Sequence, residues 1–453
     1  MNEFIARYLN YPLWELFSSR HAFVFYRQLK SLEASQWKGR KYLQALKNYK
    51  LRHLVSHAYK NVPYYHHLMK RLKIKPDNVV KEEDLQKLPI LTKDIIRKNI
   101  NNLVARNYGS NSYYASHTGG STGKVLNFYR DKTTHEFNLA VNRRFWRWAR
   151  YDIGTKVFYF VGSPYDMKQY DTFRVKFHNI LINQVNINAF NMSDDLLDEY
   201  SLKMARFKPK ILHGYANAIY LFAKHLDNHK MKFEGPTAVI TTSEKLYPYQ
   251  RKFIENFFGC DVFEEYGCRE MDLIAHECPA HDGMHVASEK YVFEVLDSKN
   301  HPVVHKNGYA VITDLNNCAM PLIRYMNEDM TSRKEGECSC GRQLERISGI
   351  EGRTTDFLSG QNGRIVSGVA VTTYLSKVEG IQEFRVVQNI FGKIEILVVP
   401  AANYTDKVDA EIRKFMARYL GDNAQLKIKK VKQIPFTKSG KRRTVINESR
   451  HII

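Results

Sequence analysis

A chain of 453 residues is longer than one ordinary core fills, so two or three domains are expected. Its 43% hydrophobic and 13% aromatic content can bury a substantial interior, yet no apolar run reaches the ~18 residues of a spanning helix. The net charge of +22 is uneven: residues 1–75 hold fifteen Lys/Arg against three Asp/Glu. Aromatic residues mingle with that charge, among them Phe4, Tyr8, Tyr11, Trp14, Phe17, Phe23, Phe25 and Tyr26. The segment reads as a basic helical cap with solvated faces, or as a surface attracted to an anionic membrane or a polyanionic glycan. No nucleic-acid reading module matches, so nucleic acid is not an expected partner. Met1-Asn2-Glu3-Phe4-Ile5-Ala6-Arg7 lacks the apolar core and cleavage site of a signal peptide. A cytoplasmic location is expected.

Along the chain, residues 37–60 place Trp37, Tyr42, Leu43, Leu46, Tyr49, Leu54, Val55 and Ala58 at helical spacing, and Pro63 follows as a stop. β-rich runs at 156–161, 209–213 and 238–242 then alternate with helix-period runs at 194–207 and 215–228. That alternation argues for an α/β domain with a parallel sheet. The runs 291–296 and 309–314 follow one another without a helix, which predicts a small antiparallel or barrel-like piece. Beyond Asp356 the pattern becomes a hairpin (384–388 and 393–399), one amphipathic helix (405–420) and a closing strand (427–432). The expected division is a large N-terminal domain over 1–355 and a small, mobile α+β C-terminal domain over 356–453.

The densest chemical signal is Ser116-His117-Thr118-Gly119-Gly120-Ser121-Thr122-Gly123-Lys124. Glycines let successive N–H groups converge on one point, hydroxyls add donors, and Lys124 adds a mobile cation, so a triphosphate is the natural guest. The pattern is not a P-loop, since Thr118 stands at the first glycine position and Val125 follows the lysine. A plain turn is the competing reading for such a run on its own.

Four motifs follow it in order: Glu265-Tyr266-Gly267-Cys268-Arg269-Glu270; Pro321-Leu322-Ile323-Arg324-Tyr325-Met326-Asn327-Glu328-Asp329; Gly352-Arg353-Thr354-Thr355-Asp356; and Pro435-Phe436-Thr437-Lys438-Ser439-Gly440-Lys441-Arg442-Arg443. With the glycine-rich loop they resemble the adenylate-forming superfamily of acyl-CoA synthetases, adenylation domains and luciferases. The likeness is to the phenylacetate-CoA ligase branch, and within it to the CapK proteins of capsular polysaccharide synthesis. It runs from about residue 100 to the C-terminus.

The resemblance implies ATP-dependent activation of a carboxylic acid as an acyl-adenylate, with transfer to coenzyme A or another acceptor. Thr118, Gly119, Gly120, Ser121, Thr122, Gly123 and Lys124 would hold the β- and γ-phosphates, and Tyr266 beside Gly267 would offer a flat face to adenine. Asp329 would accept the ribose hydroxyls, with Arg353 nearby, and Glu270 would associate with Mg²⁺. Arg324 is expected as a further phosphate or ribose contact or as the partner of Asp329. Lys441, on a loop that Gly440 keeps flexible, would neutralise charge developing at the α-phosphate. Without the family pattern, Glu264, Glu265 and Glu270 read as a charged loop and Lys441 as a solvated charge. Arg269 departs from the pattern, because most relatives carry Thr or Ser there; it could reach a phosphate or an acidic substrate.

Six cysteines are present. Cys278-Pro279-Ala280-His281 and Cys338-Ser339-Cys340-Gly341 supply four soft ligands, the number that a closed structural Zn²⁺ site wants. Cys278, His281, Cys338 and Cys340 form the expected set, with His276 and His285 as rival ligands. The resemblance implies a comparable cluster in relatives. Cys260, Cys268 and Cys318 read as buried single thiols. The competing functional class is an inactive, zinc-stabilised basic protein that docks to a membrane-associated glycan assembly. Retention of Lys441, Asp329 and Glu270 argues against it.

Overall fold

The computed structural model describes residues 22–118, 126–161, 172–189, 192, 194–231, 233–353, 357–359, 365–389, 392–421, 425–434 and 443–448. The described part of the basic segment is mainly helical, and Phe4, Tyr8, Tyr11, Trp14 and Phe17 lie outside the described residues. Helix α1 (Ala22–Ser35) turns at Trp37 into α2 (Arg40–Asn61), whose buried stripe is Leu43, Leu51, Leu54, Val55 and Ala58. Pro63 does more than stop this helix. It opens α3 (Pro63–Arg71) from the first position, where a missing N–H costs nothing. A short helix α4 (Lys93–Asn99) follows, capped by Thr92.

Next, β1 (Tyr113–His117) and β2 (Asn127–Asp131) pair antiparallel, and α5 (His135–Trp148) packs against α1 and the sheet beyond. The strand–helix alternation is realised as β3 (Val157–Val161), α6 (Phe173–Leu181), β4 (Gln184–Asn188), α7 (Asp194–Phe207), β5 (Ile211–Tyr215), α8 (Ala216–Asn228), β6 (Ala238–Thr242), α9 (Pro248–Phe258) and β7 (Asp261–Cys268). These five strands lie parallel, because each connection carries a helix long enough to return the chain to the same edge. Phe158, Phe160, Leu212, Ile219, Phe222, Val239 and Ile254 form the core between sheet and helices. Helix α9 ends at Gly259, whose φ of +65 gives the left-handed cap that a β-carbon disfavours.

From β7 the sheet changes character. Strands β8 (Asp272–Glu277) and β9 (Met284–Val286) continue it antiparallel. Strands β10 (Tyr291–Leu296), β11 (Gly308–Asp314) and β12 (Tyr325–Thr331) start a separate antiparallel sheet. After it, β13 (Arg333–Lys334) and β14 (Arg346–Ile347) return to the outer edge of the first sheet, and β15 (Gly352–Arg353) joins β12. The large sheet therefore runs β13-β14-β9-β8-β7-β6-β5-β3-β4.

The C-terminal unit has its own core of Val371, Leu375, Val386, Ile396, Val398, Ile412, Met416 and Leu420. It comprises β16 (Phe357–Ser359), β17 (Ile365–Ser367), α10 (Gly368–Leu375), β18 (Ile381–Gln388), β19 (Ile394–Pro400), α11 (Asp406–Leu420), β20 (Leu426–Lys430) and β21 (Val445–Asn447). The expected hairpin is β18–β19, the expected helix is α11, and the expected closing strand is β20, which lies parallel to β19. Strand β21, parallel to β18, extends the sheet further. The boundary expected at Asp356 falls outside the described residues.

Candidate active site

The carboxyl ends of β5, β6 and β7 converge, the position where open parallel sheets place their ligands. The Tyr-Gly motif closes β7 and turns into β8. Gly267 sits in a bulge so tight that a β-carbon would stand 2.5 Å from the Asp272 carbonyl oxygen. The bulge aims Tyr266 inward. Its hydroxyl donates to Asp329 Oδ2 at 2.9 Å, and Asn327 Nδ2 donates to both the Tyr266 oxygen (2.6 Å) and Asp329 Oδ2 (2.7 Å). All three residues are buried. Burial, then the neighbouring Asp329 carboxylate, push the Tyr266 phenol well above its usual range, so it stays a donor. Asn327 was not singled out in the sequence; its place two residues before Asp329 on one strand was the available signal, since such residues share a face.

Glu270 reaches the same region from the β7–β8 turn, where Tyr325 donates its hydroxyl to Glu270 Oε1 at 2.6 Å. Arg353 stands opposite Asp329 in the β12–β15 register, so the two motif residues are backbone neighbours. Arg324 is not the partner of Asp329. It adopts φ +55, grips Glu294 with Nε and Nη2 (3.1 and 2.9 Å) and donates Nη1 to the Leu88 carbonyl.

Of the glycine-rich segment, Ser116 and His117 end β1 and Thr118 follows them. Thr118 closes the neck of the β1–β2 hairpin: its N–H donates to the Leu126 carbonyl at 2.9 Å, and its Oγ1 accepts from the Leu126 N–H at 3.1 Å. Gly119, Gly120, Ser121, Thr122, Gly123 and Lys124 lie outside the described residues, as does Lys441. Arg269 Nη1 lies 3.5 Å from the His117 carbonyl, which brings the motif's variant position to the hairpin neck. At the other end, Thr444 Oγ1 meets the Tyr247 hydroxyl at 2.8 Å and Thr372 Oγ1 at 3.2 Å. This seam ties the C-terminal unit, close after Lys441, to the start of α9. Beside it a cleft of ≈ 130 Å³ is lined by Tyr220, Lys224, Tyr249, Phe384, Arg385 and Thr444.

The two glutamates before Tyr266 do not form a charged loop; both lie in β7, partly buried. Glu265 accepts from His213 Nε2 (3.0 Å) and from Trp146 Nε1 (2.9 Å). Burial alone would raise its pKa, but the His213 charge and these hydrogen bonds outweigh burial and hold it down to about 2. Glu264 is driven the other way, to about 8, by burial and then by the Glu277 carboxylate. Trp146, Tyr159 and Tyr151 surround His213. This aromatic, hydrogen-bonded wall beside the strand ends was not foreseen, because its members come from distant segments.

The cysteine cluster assembles with one change of ligand. Cys278, Cys338, Cys340 and His285 bring Sγ, Sγ, Sγ and a ring nitrogen within 4.8 Å of one another. Cys278 Sγ and Cys338 Sγ are 3.6 Å apart, and Cys340 Sγ lies 3.3 Å from His285 Nε2. His281 points elsewhere: at φ +48 it turns its ring onto Phe263 and its Nδ1 toward Glu277. His276 is likewise taken, with Nδ1 at the Glu277 carbonyl and its ring stacked on Phe145. His285 wins because β9 pairs with β14, which holds the strand next to the Cys338/Cys340 turn. Its Nδ1 faces the Leu344 carbonyl, leaving Nε2 as the ligating nitrogen. Three thiols and one imidazole fit a tetrahedral Zn²⁺ site closed to water. Cys260, Cys268 and Cys318 are unbridged and only half-buried.

Among the described residues, no helix is long and apolar enough to cross a membrane. Among the described residues, five of the six exposed large aromatics, Phe23, Tyr26, Trp37, Tyr42 and Tyr49, lie on α1, α2 and their link, and the sixth, Phe177, lies on α6.

Residues 358–448 match the family model described as the CapK C-terminal domain. The chain is 28% identical over 413 residues to the protein named CapK from Staphylococcus aureus, covering 89% of this chain and 88% of that one. It is 24% identical over 358 residues to a phenylacetate-coenzyme A ligase from Thermus thermophilus, covering 76% and 75%. A crystal structure of 2-hydroxyisobutyryl-CoA ligase in its postadenylation state, bound to an acyl-AMP, superposes over 91% of both chains with a TM-score of 0.75 at 18% identity.

Proposed function

We propose that the chain belongs to the adenylate-forming superfamily, in its phenylacetate-CoA ligase-like branch, and that it activates a carboxylic acid with ATP. The carboxylate oxygen attacks the α-phosphorus, pyrophosphate leaves, and an acyl-adenylate remains. A thiol then attacks the acyl carbon and AMP departs; coenzyme A is the acceptor that the ligase relatives suggest. Two anions meet in the first step, so catalysis consists of fixed donors and cations held where charge builds.

In this reading Asp329 accepts the ribose hydroxyls and Tyr266 packs on adenine. Thr118 through Lys124 hold the outgoing phosphates. Lys441 and Arg353 meet the α-phosphate and ribose, and Glu270 holds Mg²⁺. The observation that carries it is the buried Tyr266–Asn327–Asp329 cluster. Asp329 Oδ2 is already pinned by two donors, which fixes the carboxylate plane and presents its other face in one orientation. An inactive docking protein gains nothing from burying a carboxylate in that way. Pyrophosphate release over a panel of carboxylic acids tests the reading, and no release with any acid, in folded and metal-replete protein, would end it.

The same proposal assigns Zn²⁺ to Cys278, His285, Cys338 and Cys340, where it would clip β8 and β9 to the segment leading to β14. Four protein ligands leave no open position, so its role is structural. The likeness to CapK supports a place in surface-polysaccharide synthesis, and a peripheral contact with an anionic membrane suits such a place. On α1 and α2, exposed Arg27, Lys30, Lys38, Lys41, Arg52 and Lys60 stand among the exposed aromatics, and the sole acid of 22–61, Glu33, is paired with Arg147. That mixture is the chemistry that interfacial binding uses.

A further inference from the structure

Away from the nucleotide site and the cysteine cluster, α7 and α8 bring three other ligating side chains together. Asp198 comes from α7, and His225 and His229 from the last turn and cap of α8. Their ligand atoms all lie within 4.8 Å of one another. His225 Nε2 is 2.9 Å from Asp198 Oδ1, and the two imidazole rings lie 4.2 Å apart at a 38° tilt.

We propose that Asp198, His225 and His229 form a second metal site, which takes a divalent first-row transition ion such as Zn²⁺ at the protein surface. Three features carry this. First, the i, i+4 spacing sets both imidazoles on one face of α8, one turn apart. A plain His–Asp hydrogen bond between helices would account for His225 and Asp198 and would give His229 no part. Second, His229 Nδ1 lies 2.9 Å from the His225 backbone carbonyl. That oxygen can only accept, so Nδ1 carries the hydrogen and Nε2 keeps its lone pair. Metal-bound histidines are oriented in this way, by a carbonyl behind the ring. Third, the charge of the set favours a cation. One carboxylate and two neutral imidazoles offer a single negative charge to a dication, and the negative end of the α8 dipole lies beside them.

The donor set N₂O suits Zn²⁺, Ni²⁺ or Cu²⁺ rather than Mg²⁺ or Ca²⁺, which want oxygen ligands throughout. A tetrahedral ion with bonds of about 2.0–2.1 Å needs ligand atoms about 3.3 Å apart, so 2.9 Å opens slightly as the ion replaces the proton on His225 Nε2. The Asp198 side chain is 54% exposed whereas that of His225 is 4% exposed. The fourth position thus faces water, and ion exchange is quick, unlike at the buried cysteine set. Occupancy would tie α7 to α8, whose Tyr220 and Lys224 line the cleft toward the C-terminal unit.

The test is Zn²⁺ uptake by the full-length protein after dialysis against a weak chelator, with the cysteine set left intact. Wild type is expected to bind one equivalent of Zn²⁺ more than His229→Gln or Asp198→Asn. Cys340→Ser is expected to keep this exchangeable equivalent. Both site variants alter partly exposed positions, so their unfolding midpoints without added metal should match wild type. Co²⁺ at this site should give only weak d–d absorption, with no thiolate charge-transfer band. Equal uptake by wild type and both variants would overturn the site, as would a thiolate band that titrates with the extra equivalent. None of these readouts depends on ligase activity.

Discussion

Replacing Asp329 by Asn tests the ribose assignment at a single atom. In the structure, Asp329 Oδ2 accepts from Tyr266 and Asn327, and an asparagine can keep its carbonyl oxygen at that position. Its amide NH₂ then occupies the place of Oδ1, so an acceptor becomes a donor. The ribose hydroxyls would lose charge-assisted hydrogen bonds worth about 1.5–3 kcal/mol. That corresponds to a 10- to 150-fold weaker ATP affinity, at about 1.4 kcal/mol per tenfold. Folding should change by less than about 1 kcal/mol, because the buried donors keep their partner. Calorimetric titration with ATP needs no knowledge of the acid, and a second titration with 2′-deoxy-ATP closes a thermodynamic cycle. Wild type should lose affinity for the deoxy analogue, and Asp329→Asn should lose much less on the same change. Equal losses in both proteins, or unchanged ATP affinity in a folded variant, would show that this carboxylate does not touch the ribose.

Lys441→Ala should slow pyrophosphate release by about a hundred- to thousand-fold, the ~3–4 kcal/mol due to one well-placed charge donor, with no change in unfolding midpoint. Turnover equal to wild type would remove Lys441 from the reaction. Cys340→Ser and His285→Ala should each lower tightly bound zinc and thermal stability together, whereas His281→Ala should keep the metal; elemental analysis of protein purified without chelator decides it. Glu265 has a folded pKa of about 2, below its ordinary 4.5, so the stability it contributes is complete above pH 4.5 and is lost as pH falls toward 2. Removing its partner with His213→Ala should cost about 3–5 kcal/mol near neutral pH and raise the midpoint of acid unfolding. An unchanged acid midpoint would contradict the pairing.

The regular layers were legible because their signals are local. The strand 238–242 and the helix 194–207 lie where hydrophobic period placed them, and the antiparallel run near 291–314 was evident from the missing helix. The strand expected at 209–213 lies two residues later, since Pro209 and Lys210 precede the first ladder residue, Ile211. The small sheet's return was not legible. Strands β13 and β14 are two residues each, too short for any period to show, yet they decide which histidine joins the cysteines. Cys278-Pro279-Ala280-His281 has attractive spacing, but the turn needs φ +48 at His281 and carries that ring away. Sequence distance favoured His281; strand pairing favoured His285.

The candidate site divides along the same line. Its motif residues were named from the sequence because chemistry restricts which side chains can meet a nucleotide. Their supports were not, because a supporting residue needs only the right place. Tyr325, Trp146 and His213 are ordinary residues on strands or on α5, and only the assembled sheets bring them to Glu270 and Glu265, whereas Asn327 shares a strand with Asp329. The energetic weight of the supports is not small. A buried carboxylate without donors is costly, and donors on one of its oxygens fix the direction of the other. Tyr266 and Asn327 therefore do for Asp329 what His213 and Trp146 do for Glu265: they place donors on a carboxylate inside the protein. Both pairs depend on β7, where strand alternation turns Glu265 and Tyr266 to opposite faces just before the bulge at Gly267. A side chain at Gly267 would press the strand off the Asp272 carbonyl and disturb both carboxylates at once. That is the physical reason the motif needs a glycine there.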